Sequence, residues 1–115
     1  EGLSSKSNGV GSHAQGFNSH ANGNSSHAGG EYARANGFVS FVHGYNSHAN
    51  GDYSIVLGRN ITGGTADTTY VDNLNANGSV VILSNLPTFD SDALAGSLTT
   101  NQLYKTSTGE LRIKL

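Results

Sequence analysis

Five histidines occur in a 115-residue chain that has no cysteine, so any metal site would rest on imidazole and carboxylate rather than thiolate. His13 and His27 are the candidate ligands for a zinc or nickel ion, with His43 as a further member. Water or an anion such as chloride is the competing occupant, and no other cofactor is implied. A second chemistry lies in the aromatic residues Phe17, Tyr32, Tyr45 and Tyr53. They recur near the starts of seven-residue units, where rings at corners stack on sugar faces or, more simply, pack between neighbouring chains. Catalysis has little to build on. There is no Gly-x-Ser-x-Gly elbow, phosphate loop or His-Glu-x-x-His motif. Asp90 and Asp92 form a carboxylate pair of the type that cleaves glycosides, but Asp-Ser-Asp shortly after Pro87 has the pattern of a solvated turn. The chain is therefore expected not to be an enzyme.

What must position these groups is a run over residues 3–58 in which glycine recurs every seventh residue: Gly9, Gly16, Gly23, Gly30, Gly37, Gly44, Gly51 and Gly58. The purest units read Ser-His-Ala-Asn-Gly, at 19–23 and 47–51. A coiled coil needs large apolar residues twice per heptad, whereas the repeated positions here hold Gly, Ser and Ala. Glycine once per two turns also disfavours a helix by about 1 kcal/mol each time. Disorder does not demand residue-by-residue phase. Short strands separated by glycine corners of positive φ, a β-solenoid, do. Asn8, Asn22, Asn36 and Asn50 precede alternate glycines and are expected to share those left-handed corners. Their spacing makes the true period two heptads.

The two heptads differ. Lys6, His20, Arg34 and His48 form a basic column that belongs in water, because like charges stacked about 4.8 Å apart repel; His20 and His48 are thus expected to be solvated. In the other heptad His13, His27, Phe41 and Ile55 form one column and Gln15, Gly29, His43 and Leu57 a second. Both become apolar toward the C-terminal end, as a face buried against a partner would. The intervening Ser and Ala or Val positions point into a narrow interior by strand alternation.

The paired units, above all Asp52-Tyr53-Ser54-Ile55-Val56-Leu57-Gly58, resemble the head repeats of YadA-like trimeric autotransporter adhesins, whose inner strand typically reads Ser-Val-Ala-Ile-Gly. The resemblance covers residues 3–58. It implies a left-handed parallel β-roll of fourteen-residue coils in a homotrimer, with Phe41, His43, Ile55 and Leu57 facing the threefold axis. His13, Gln15 and His27 share that face but stand where the family usually has valine or isoleucine. At the axis, His13 and His27 would form rings of three imidazoles, and stability should fall as pH drops.

After the array, residues 59–78 read as a connector, and residues 70–75 as a short strand leaving the roll. Residues 79–115 read as a small β-rich trimeric cap. Within the cap, Ser79-Val80-Val81-Ile82-Leu83 is expected to be a buried strand, residues 92–95 a helical turn, and residues 102–115 a C-terminal hairpin with Leu111, Ile113 and Leu115 on one face. Asn85-Leu86-Pro87-Thr88 and Leu103-Tyr104-Lys105-Thr106-Ser107-Thr108-Gly109 resemble stretches of bacteriophage tail-fibre and other virion structural proteins.

Composition agrees with an extended assembly. Hydrophobic residues make up 35% and charged residues 12% of the chain, with 16 glycines, too little for an ordinary core in a lone monomer. The formal charge of −2 lacks the basic stripe that nucleic acid requires, and no stretch is apolar enough for membrane insertion as a helix. Beginning at Glu1 without methionine, the chain is expected to be a processed piece or fragment; an end at Leu115 suits cleavage after trimerisation or an engineered terminus. The sequence thus points to a structural and host-recognition segment of a phage tail fibre, in the virion, as adhesive or spacer, with a host glycan or protein receptor as possible partner. The runner-up is the head of a bacterial trimeric adhesin at the cell surface, binding host surface or matrix. A polysaccharide depolymerase tailspike is third.

Overall fold

The computed structural model describes residues 1–78, 80–91 and 95–115, which form two compact units, Glu1–Asn75 and Ala76–Leu115. The first unit contains β1 (Lys6–Ser7), β2 (His13–Phe17), β3 (His20–Ala21), β4 (His27–Glu31), β5 (Arg34–Ala35), β6 (Phe41–Tyr45), β7 (His48–Ala49), β8 (Ile55–Arg59), β9 (Thr62–Gly63) and β10 (Thr69–Val71). The short strands form one sheet in the order β1-β3-β5-β7-β9, and the longer ones a second in the order β10-β8-β6-β4-β2. Every pairing is parallel, with Lys6 opposite His20, His13 opposite His27 and Phe41 opposite Ile55. The fold is the expected all-β, parallel β-solenoid with fourteen-residue coils, and there is no helix among the described residues.

The interior is as narrow as the sequence implies. Ala14, Ala21, Ala28, Ala33, Ala35, Val42, Ala49 and Val56 form the core, interleaved with buried Ser19, Ser26, Ser40, Ser47 and Ser54. A buried hydroxyl needs a partner, and the turn supplies one. Ser12, Ser26, Ser40 and Ser54 each donate Oγ–H to the carbonyl of the glycine three residues earlier, at 2.7, 2.6, 2.8 and 2.6 Å. At the C-terminal coil the core changes composition: Gly63 leaves the space that the Tyr70 ring occupies, and Ile61 packs beside it. The Tyr70 hydroxyl accepts a hydrogen bond from the Thr65 amide at 3.1 Å, which ties this plug to its own coil.

The glycines serve differently from expectation. Gly16, Gly30, Gly44 and Gly58 lie within the long strands, not at corners, although their φ values of 115°, 105°, 156° and 147° do require glycine. Gly9, Gly23, Gly37 and Gly51 do lie between a short and a long strand, but without left-handed φ. What excludes a side chain there is the next coil: a Cβ on Gly23 would strike the Gly37 carbonyl, and one on Gly37 the Gly51 carbonyl. Asn8, Asn22, Asn36 and Asn50 are not the left-handed residues either. They stack into an amide ladder, each Nδ2 donating to the next Oδ1 at 2.7, 2.7 and 2.6 Å.

The left-handed corners fall instead on Asn18, Tyr32, Asn46 and Asn60 at one edge, with φ of 50°, 55°, 47° and 58°, and on Ser25, Val39, Tyr53 and Asp67 at the other, with φ of 55°, 51°, 56° and 55°. Such angles cost energy for a branched residue such as Val39 and persist only when the surroundings over-determine them. Here each corner amide is held by the preceding coil, as in Tyr32 N to Phe17 O at 2.9 Å and Val39 N to Asn24 O at 2.9 Å.

The coils also run past Gly58. β9 and β10 add a further coil across the start of the expected connector, and Thr69–Val71 pairs with Ile55–Leu57 rather than leaving the roll. The glycine signal is lost there because Thr65 and Asp72 occupy the ladder positions, while the strand pattern continues.

In the second unit, β11 (Leu103–Lys105) and β12 (Leu111–Ile113) form the expected antiparallel hairpin. Residues 87–89 run beside β11, with Lys105 N bonded to Pro87 O and Phe89 N to Lys105 O. Buried Tyr104 meets Phe89 edge to face at 6.3 Å. The strand expected over 79–83 is not observed: Val80, Val81, Ile82 and Leu83 are exposed and unpaired in any sheet, and Ser79 lies outside the described residues. An apolar run becomes a strand only when another strand takes up its backbone groups. Of the expected helical turn, residues 92–94 lie outside the described residues; Ala95 N bonds Ser91 O at 3.0 Å.

The close stacking makes a direct prediction. Gly37→Ala should lower unfolding free energy by about 1–3 kcal/mol, as overpacking does. Gly64→Ala, where an added Cβ meets nothing within 4 Å, should change it by less than about 0.5 kcal/mol. Denaturant titration of the two variants checks the contrast.

Candidate functional site

The outward face of the long-strand sheet gathers all seven residues singled out for it. In register, His13, His27, Phe41, Ile55 and Thr69 form one column and Gln15, Gly29, His43, Leu57 and Val71 the next. Strand alternation sends Ala14, Ala28, Val42 and Val56 inward and leaves these side chains outward. The face is polar at one end and apolar at the other, where Ile55, Leu57 and Val71 are 39%, 41% and 40% exposed.

At the polar end the imidazoles interact closely. His13 Nδ1 and His27 Nδ1 are 3.1 Å apart, a hydrogen bond in which one ring donates and the other accepts. The other face of His27 stacks on Phe41, with centroids 4.8 Å apart and planes within 10°. His43 leans toward them because Gly29, one coil below, has no side chain; its Nδ1 occupies the space a Gly29 Cβ would fill, and His27 Nε2 lies 3.4 Å from the same point. Burial holds the His27 pKa below the ordinary imidazole value, with the nearby His13 and His43 adding to the effect. On the opposite sheet His20 and His48 are half-buried rather than fully solvated. Burial lowers the pKa of each, assisted by Arg34 and, for His20, also by Lys6.

The four aromatic candidates divide between the two edges of the roll. Phe17, Tyr32 and Tyr45 make an exposed ridge joined edge to face at 5.5 and 6.2 Å. Tyr53 sits on the other edge against Phe38 at 5.4 Å, a residue sequence reading passed over. The signal for it was present: Phe38 precedes Tyr53 by the same fifteen positions that separate Phe17 from Tyr32. The residue before one corner therefore meets the corner residue of the following coil.

Among the described residues no three or more His, Cys, Asp or Glu side chains converge as a metal ligand set. Asp90, one member of the considered carboxylate pair, is engaged as a turn anchor. Its Oδ1 accepts from the Ser107 amide at 3.0 Å and the Ser107 hydroxyl at 2.8 Å, bonds that hold its pKa below the usual carboxylate range. Asp92 lies outside the described residues. The second unit also has an open apolar cavity of about 700 Å³, lined by Leu103, Leu111, Ile113 and Leu115 with Tyr104, Arg112 and Ser91 at its wall.

With the geometry in place, the chain can be set beside known proteins. Residues 44–60 match the YadA head domain repeat, in two copies. This segment runs from the end of β6 through β8 and contains Ser54-Ile55-Val56-Leu57-Gly58. No curated protein and no solved structure matches the chain.

A pH dependence follows. The native state disfavours protonation of His20, His27 and His48, so below the unfolded imidazole pKa near 6.5 the unfolded chain binds more protons than the folded one. Stability should be full above that value and fall as pH drops toward the lower folded-state values. His27→Val should flatten part of the slope between about pH 7 and 5. Thermal melts of both proteins across that range provide the measurement, and identical slopes would remove His27 from the account.

Proposed function

We propose that this chain is a non-enzymatic segment of a homotrimeric surface fibre, in which the outward face of the long-strand sheet packs against its own copies. The observation that carries the reading is the apolar end of that face, where Phe41, Ile55, Leu57 and Val71 lie in adjoining columns and Ile55, Leu57 and Val71 are exposed. Burying three such faces together removes this apolar strip from water. Three copies about an axis also bring His13, Gln15, His27 and His43 of each chain near their counterparts.

Two settings supply such a fibre. The likeness of residues 44–60 to YadA head repeats favours a bacterial trimeric adhesin at the cell surface. The resemblance of residues 85–88 and 103–109 to virion structural proteins favours a phage tail fibre, which is the setting we adopt. In either, the roll holds its exposed edges at a distance from the anchoring body, and the Phe17, Tyr32 and Tyr45 ridge is the surface we assign to contact with host glycans. The ridge fits this role because its rings are exposed while their edge-to-face contacts fix them in place.

Sedimentation equilibrium should give three times the chain mass. Leu57→Asp should shift the protein to monomer while Thr62→Asp, on the opposite sheet, leaves the trimer intact. A monomeric wild type, or a trimeric Leu57→Asp variant, would overturn the assembly. On a glycan array the trimer should bind specific sugars, and Tyr32→Ala with Tyr45→Ala should abolish the signal; no wild-type binding would leave the segment a spacer.

A further inference from the structure

We propose that His13 and His27 form a two-imidazole site for a divalent transition-metal ion, built within one chain between adjacent coils. Two observations carry it, and both are geometric. The ring centroids are 4.9 Å apart, close to the usual strand spacing, yet the two Nδ1 atoms approach to 3.1 Å with the planes tilted by 34°. The rings therefore lean together at their Nδ1 edges. Zinc–imidazole bonds are about 2.0–2.1 Å long, and two of them meeting at the tetrahedral angle place their nitrogens about 3.3–3.4 Å apart. The pair is within a few tenths of an ångström of that separation.

Between the two nitrogens lies a proton, donated by one ring and accepted by the other. A divalent ion is a cation of higher charge for the same place. On its binding both rings carry their proton on Nε2 and both Nδ1 lone pairs point at the ion. Parallel register fixes the two residues opposite each other, and stacking of His27 on Phe41 limits its ring rotation, so little ordering remains for the ion to impose. In a single chain the remaining coordination positions are left to water, and in the proposed trimer they face the axis. His43 stands across Gly29 on the Nε2 side of His27, away from the Nδ1 edges, so the imidazole ligands of the site are those of His13 and His27. Gln15, in the neighbouring column, offers an amide oxygen on the same face.

The opposite sheet provides an internal comparison. His20 and His48 occupy equivalent positions in their column, but Arg34 stands between them in register, so no two imidazoles are adjacent there and a guanidinium occupies the intervening coil. The site belongs to a single chain and does not rest on trimer formation. A monomeric wild type would overturn the fibre assembly and leave this proposal standing.

Calorimetric titration of the full chain with zinc chloride near pH 7.5 should show saturable binding. Affinity should fall by about tenfold or more in His13→Ala and in His27→Ala, since losing a ligand costs at least what losing its supporting partner does, while His48→Ala binds as wild type. Because His27→Ala also removes the ring stacked on Phe41, a second measurement uses the unaltered protein. Substoichiometric nickel should broaden the ring resonances of His13 and His27 before those of His20 and His48. Absence of saturable zinc binding, wild-type affinity in both pair variants, or earliest broadening at His20 or His48 would each overturn the assignment.

Discussion

Strict translational register is the constraint from which the first unit follows. Each residue lies one strand spacing from the residue fourteen positions on, and the backbones approach so closely at Gly23 and Gly37 that a single methyl group would collide with the next coil. Every side chain must therefore tolerate its own equivalent as a nearest neighbour. Asparagine does so well, because its amide is donor on one side and acceptor on the other, and the ladder from Asn8 to Asn50 uses both. Neutral imidazole is self-complementary in the same sense, as at His13 and His27. Permanent cations are not, and the basic column alternates accordingly: Lys6, His20, Arg34, His48.

The same constraint accounts for the small core. Opposed sheets this close leave room for alanine, serine and valine, so burial supplies little apolar area per residue and the backbone ladder must do more of the work. Serine is admissible because its hydroxyl closes the turn from which the next strand leaves. Left-handed angles at Tyr32, Val39 and Tyr53 are tolerated for a related reason. Their amides are fixed by the coil before them, so local strain is spread over a repeated lattice of bonds.

Most of this architecture was legible in the sequence, because periodicity reports register directly. The fourteen-residue unit, the inward Ser and Ala or Val positions and the shared outward face of His13, His27, Phe41 and Ile55 all follow from phase. The uses of particular residues were less legible. Asparagine before glycine suggests a left-handed corner by local preference, yet Asn22 and Asn36 are claimed by neighbours one coil away, a contact no local rule contains. The fifth coil was hidden because Thr65 and Asp72 replace glycine there. In the second unit, Val80 to Leu83 showed the apolar character of a strand without a partner to pair with, whereas β11 and β12 had both pattern and partner. Tyr70 is informative in the same way: its size matters only opposite Gly63.

The asparagine ladder gives the roll an electrical sense as well as a chain direction. Each Nδ2–H points toward the next coil and each Oδ1 back toward the one before, so the side-chain dipoles add as peptide dipoles do along a helix. The line begins with a partially negative amide oxygen at Asn8. It ends with a partially positive amino group at Asn50, beyond which Gly64 follows in register and the line stops. The two ends of this edge thus attract opposite charges.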